Sequence, residues 1–160
     1  MEDIWNITAL VVSVLSVLLS LYALRQATTK NTSDMYLFFI SQYAKEDMKL
    51  ALRKLKDIKR GVYRLEQWES DMKNNLPKAF KYDEARRLVK YFYDTLAYMK
   101  LEKLIEARFV RLICLKKGAW LYLDTVEAME KFFDSGYDKK PYAVIRDVCE
   151  NLRKEGCCPP

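Results

Sequence analysis

The sequence predicts an all-α protein, with a single N-terminal transmembrane helix followed by a small cytoplasmic helical bundle. Three observations predict it. The chain opens on a long uncharged run, its remainder shows apolar residues at helical spacing, and four glycines and four prolines in 160 residues leave few turns for a sheet. No stretch alternates cleanly enough for a strand, and no internal repeat is visible.

From Ile4 to Leu24 there are 21 consecutive uncharged residues, 16 of them apolar. As a helix this run is roughly 31 Å long, against a hydrocarbon core of about 30 Å. A cleaved signal peptide would need a basic start, a shorter apolar stretch and small residues before the cut. Here the start is acidic, at Glu2 and Asp3, and no such site precedes Arg25. No basic side chain precedes the run, whereas Arg25 and Lys30 follow it. The positive-inside rule then places the N-terminus outside the cell membrane and residues 25–160 in the cytoplasm. Trp5 and Tyr22 lie near the two ends, where amphipathic rings favour the interface.

Beyond the anchor, the chain carries all 28 basic residues and all the acidic ones except Glu2 and Asp3, a net of +8 instead of the whole-chain +6. The predicted organisation is an anchor over 1–27, a juxtamembrane hinge over 28–34, a bundle over 35–155 and a flexible tail over 156–160. Ser33 or Asp34 is placed to cap a helix running from Met35 to Arg60, with Gly61 as its stop. Residues 62–81 read as a shorter helix plus a loop. A second long helix is expected from Tyr82 to Met99, burying Leu88, Tyr91 or Phe92, Thr95, Leu96 and Met99. A third begins near Glu102 and bends at Lys116-Lys117-Gly118, before a segment carrying Trp120, Leu123, Val126, Met129 and Phe133. Ser135-Gly136 ends that segment, and Pro141 sits in the first turn of a last helix reaching Lys154.

Most chemistry is missing. There is no histidine, so Ser–His and Cys–His pairs and histidine metal sites are all excluded. Asp94, Glu102, Glu106, Asp124 and Glu127 lack the Glu-x-x-His of di-metal bundles. Cys114 reads as buried filler, and Cys149, Cys157 and Cys158 lack metal-binding spacing. No phosphate loop or dinucleotide fingerprint occurs. No catalytic residue, metal or cofactor is expected, and the chain reads as non-enzymatic.

Two features remain. Ala9, Ser13, Ser16, Ser20, Ala23 and Ala27 fall on one face of the predicted anchor. Small residues let backbones approach, so the stripe is a candidate surface for self-association or for a protein partner. The competing reading is accidental spacing of serines tolerated singly. The second feature is basic: Lys49, Arg53, Lys54, Lys56, Lys59 and Arg60 lie within twelve residues, and Lys49, Arg53, Lys56 and Arg60 share a helix face. Lys49, Arg53, Lys56, Lys59 and Arg60 are candidates for lipid or polyanion contact, with about 1 kcal/mol per basic residue near anionic lipid. A merely solvated basic face is the competing reading, and nucleic acid is not an expected partner.

The stretch from Ala85 to Phe133 carries Arg86-Arg87, Tyr91-Phe92-Tyr93, Asp94, Leu101-Glu102, Phe109 and Trp120, and a Tyr142–Leu152 helix follows. In these residues the chain resembles an uncharacterised prokaryotic "domain of unknown function" family with one N-terminal membrane anchor and a small cytoplasmic helical domain. Arg86, Arg87, Phe92, Asp94 and Trp120 are the positions that look most like the family. The resemblance implies the anchor-and-bundle layout and no activity. Two functions are open on this evidence: a membrane-anchored adaptor, scaffold or accessory subunit, or a module binding anionic lipid through residues 49–60.

Overall fold

The structure, a computed structural model, describes residues 16, 18–23, 33–133 and 137–157. The described residues are helical and contain no strand. The chain divides into two compact units, Met1–Leu37 and Phe38–Pro160. In the first, Ser16, residues 18–23 and residues 33–37 are helical. No helix among the described residues is long and apolar enough to cross a membrane. Most of the predicted anchor and hinge lies outside the described residues.

The second unit is a helical bundle. A helix over 33–44, here α1, enters it at Phe38 and is followed by α2 (Glu46–Lys59), α3 (Leu65–Lys73) and α4 (Pro77–Leu101). Then come α5 (Ala107–Cys114), α6 (Lys117–Leu121), α7 (Glu127–Phe133) and α8 (Lys139–Lys154). Between α6 and α7 the helix does not stop. It widens into one π turn, Tyr122–Val126.

The helix predicted over Met35–Arg60 is therefore two helices. Lys45, at φ −60° and ψ 147°, is extended and starts a new N-terminus. Glu46 and Asp47 then occupy the first turn of α2, where carboxylates complement the exposed N–H groups. The predicted stop at Gly61 holds. Gly61 has φ 73°, its N–H donates to the Ile58 carbonyl, and the Val62 N–H donates to that of Asp57. That double bond closes the last turn and requires a left-handed residue. Gly156 closes α8 in the same way, while Asn75 and Lys103 serve α3 and α4 at positive φ without being glycine.

The α4 helix starts five residues earlier than predicted, because Pro77 is its first residue, where proline's fixed φ suits a helix and its missing N–H has no partner to lose. Its predicted apolar face is corrected in part. Leu96 is buried as expected, and of the alternatives Tyr91 or Phe92 it is Phe92 that is buried; Leu88 and Tyr91 are exposed, at 38% and 74%, whereas Val89, Tyr93 and Ala97 are buried. Buried with them are Asp83 and Arg86, charged residues whose place in the interior no hydropathy pattern announces. The central position of α4 explains the breadth of its buried face: α2, α3, α5, α8 and the π turn all pack against it.

Aromatic rings link these layers. Phe39 of α1 meets Phe92 edge-on, Phe92 meets Tyr93, and Tyr93 meets Tyr122 of the π turn at 5.1 Å. Tyr122 then stacks on Tyr142 of α8, with ring centroids 4.5 Å apart and planes within 10°. Cys114 and Cys149 are buried free thiols on α5 and α8, as expected for Cys114. Cys157 is exposed, and Cys158 lies outside the described residues.

Candidate functional site: a basic groove

Lys49, Arg53, Lys56 and Arg60 recur at intervals of four, three and four residues, so α2 presents them as one ridge. The opposite side of α2 buries Met48, Ala51, Leu55 and Ile58, which fixes the ridge outward. Lys59 joins it. These five predicted residues all line one groove of about 880 Å³. Two further cations complete the lining: Lys117 at the start of α6 and Arg153 near the end of α8. Sequence reasoning missed both, since nothing in the chain links positions 49–60 to 117 or 153. Leu52, Leu121, Tyr43 and Trp120 supply the apolar part, and no carboxylate lines the groove.

Among the described residues two of the seven cations are paired. Lys59 reaches Asp124 at 2.5 Å and Lys49 lies 3.6 Å from Glu46. Arg53, Lys56, Arg60, Lys117 and Arg153 have no ion-pair partner among the described residues, so positive charge accumulates around one concavity. Such focusing raises the local concentration of an anionic ligand and speeds its arrival.

Gly118 fixes how closely α6 approaches. A Cβ there would meet the Tyr93 hydroxyl at 2.7 Å and that of Tyr43 at 2.9 Å. Without a side chain, the Gly118 N–H donates to Tyr43 Oη at 3.2 Å, which ties α1 to the start of α6 across the groove. Burial pushes the Tyr43 phenol up from its ordinary value, and this N–H bond opposes that shift. Trp120 is half-buried, and its indole N–H is buried without a hydrogen-bond partner. Trp120 therefore lines the groove without offering its N–H to it.

The family-like positions divide between this groove and the interior. Trp120 lines the groove, and Phe92 is a core residue against Phe39 and Tyr43. Arg86 pairs with Asp83 at 2.8 Å and with Glu130 of α7, all three being buried. Arg87 is exposed and reaches the other Asp83 oxygen at 2.7 Å. Asp94 pairs with Lys90 and accepts the Tyr122 hydroxyl at 2.5 Å. Burial, and then this bond to a carboxylate, drive the Tyr122 phenol far above its ordinary range. Glu127 pairs with Arg146 and accepts from Tyr137, whose phenol is pushed up to about 12 by burial and by that bond.

The carboxylates considered from sequence are therefore dispersed. Asp94 and Glu127 have these interior partners, Asp124 holds Lys59, and Glu106 holds Arg108. Among the described residues no group of three or more carboxylates and thiols is arranged to hold a metal ion. Of the small-residue stripe, Ser16, Ser20 and Ala23 are described, whereas Ala9, Ser13 and Ala27 are not. The Ser20 hydroxyl donates to the Ser16 carbonyl at 2.8 Å, a bond within its own helix.

No protein-family model, curated protein or solved structure matches the chain. The groove is the basis for the functional reading.

Proposed function

We propose that this chain is a membrane-anchored, non-enzymatic helical module that binds a phosphate-rich anion in the groove between α2, α6 and α8. The observation that carries the reading is the convergence of seven basic side chains, from three helices, on one concavity with no carboxylate in its lining. A solvated basic face needs no such convergence: Lys117 and Arg153 are remote in sequence from the α2 ridge, yet line the same space. Concavity also favours a small anion or a single headgroup over a flat surface, since the groove's volume falls within the roughly 300–1,000 Å³ of small-molecule sites.

The test uses the full chain in nanodiscs of zwitterionic lipid, titrated with inorganic tripolyphosphate. Binding should weaken steeply as salt rises, because exposed charges are screened. The double variant Arg53→Glu, Lys56→Glu should weaken it at least about a hundredfold, given roughly 1.4 kcal/mol for each tenfold. Adding a phosphoinositide to the nanodisc separates a lipid source from a soluble one: competition for the groove identifies a headgroup ligand. Tripolyphosphate binding that ignores both salt and the double variant would overturn the reading.

The anchor belongs to the same proposal. The uncharged run from Ile4 to Leu24 and the basic flank after it support a single pass, with the N-terminus outside and the bundle cytoplasmic. Alkaline carbonate should leave the chain in the membrane pellet, and its release into the supernatant would remove the anchor.

One observation favours a second reading, that of an adaptor or scaffold. Phe38, Leu88 and Tyr91 are exposed around a smaller apolar groove of about 340 Å³ between α1, α2 and α4. A partner helix laid there would be recovered with the full chain from detergent extracts, and recovery would survive the Arg53→Glu, Lys56→Glu change.

A further inference from the structure

We propose that the anion taken by the basic groove is a nucleoside polyphosphate, its phosphates on the cations of α2, Lys117 and Arg153 and its base against Trp120. The inference rests on the anion-binding reading above and adds the chemical class of the ligand. Two features of the groove require more than phosphate. Its volume of about 880 Å³ leaves room beside a bare phosphate chain, and the lining that the cations do not occupy is Leu52, Leu121, Tyr43 and Trp120. A ligand matching both kinds of lining combines anionic charge with a flat apolar group.

Trp120 is the large flat side chain of the lining. It sits three residues after Lys117, so one turn of helix carries a phosphate-binding cation and an aromatic ring on nearly the same face. Its N–H is buried, so what it offers a ligand is ring carbon and no donor. Stacking on such a surface is open to every base, because each has a π face. The site should therefore distinguish nucleotides from non-aromatic polyphosphates while discriminating poorly among the bases themselves.

The experiment compares inorganic tripolyphosphate, ATP, UTP and inositol hexakisphosphate by calorimetry, without magnesium, on the full chain in zwitterionic nanodiscs. Tripolyphosphate carries at least as much charge as ATP, so charge alone cannot make ATP the tighter ligand. The expected result is that ATP and UTP both bind about tenfold or more tighter than tripolyphosphate, the range that base stacking supplies. Trp120→Leu should bring the ratio of nucleotide to tripolyphosphate affinity down to about one. Trp120→Phe, which keeps a ring, should retain part of that ratio, and circular dichroism of both variants checks that the bundle is still folded. Nucleotides binding no tighter than tripolyphosphate, or inositol hexakisphosphate matching them in affinity per charge, would overturn the base contact and leave the anion groove standing. Failure of every anion to bind would overturn both.

Discussion

Replacing Arg86 by methionine should destabilise the bundle by about 3–5 kcal/mol, the cost of removing one member of a buried charge cluster. Arg86 is 7% exposed, between Asp83 at 4% and Glu130 at 6%. It joins α4 to α7 by pairing with both, and its guanidinium also lies 4.7 Å from the centre of the Phe133 ring. Methionine fills similar space with no charge. Among the described residues, the variant then leaves Glu130 with Lys90, 3.9 Å away, and Asp83 with the exposed Arg87. The measurement is a urea unfolding midpoint, in detergent, for wild type and variant. Replacing Asp83, Arg86 and Glu130 together by apolar side chains of similar volume should restore most of the loss, since a buried ion cluster contributes little net stability over apolar packing. A deficit below about 1 kcal/mol for Arg86→Met would show that the cluster is wetter than its burial implies.

Trp68→Ala should cost a similar amount, about 3–5 kcal/mol, but locally. Trp68 is the one buried residue of α3. Its ring stands edge-on to Phe132 and Phe133 at 5.4 and 5.9 Å, and its indole N–H donates to the Ala79 carbonyl at 3.3 Å. Beside Trp68, Tyr63 donates to Asp71 at 2.7 Å from just outside the helix, and the Lys73 ammonium lies 5.5 Å from the centre of the Phe132 ring. Hydrogen exchange should therefore show α3 losing protection well before α4 or α8. Uniform loss across the bundle would mean that Trp68 supports the whole core.

What the sequence disclosed depended on how far apart the cooperating residues lie. The ridge of Lys49, Arg53, Lys56 and Arg60 was legible because one helix carries it at helical spacing. The other walls of the groove were not, because Lys117 and Arg153 come from helices that only packing brings to α2. Helix ends were legible where the chain spends a glycine, as at Gly61. The break at Lys45 has no glycine or proline, and its one signal is the acidic pair Glu46-Asp47 opening the next helix. The buried face of α4 was misread for a related reason. Charged residues are normally counted as solvent-facing, so nothing marked Asp83 and Arg86 as interior, and the expected face kept Phe92 and Leu96 but took in Leu88 in place of Val89. Trp120 was noted for its family resemblance, and its position beside the cations emerged only from the fold.

The π turn sets a different kind of constraint. The groove depends on residues before Tyr122, namely Lys117 and Trp120, while the buried cluster depends on Glu127 and Glu130 after Val126. One continuous helical segment serves both, and the wide turn is what sets the angle between them. Each residue of an α-helix advances the side chains by about 100° around the axis. Gain or loss of a single residue in Tyr122–Val126 would turn Glu127 and Glu130 away from Arg146 and Arg86, and would shift Asp124 from Lys59 of the groove. The length of this five-residue stretch is thus a registration between two neighbourhoods, which no substitution within it can restore once it is changed.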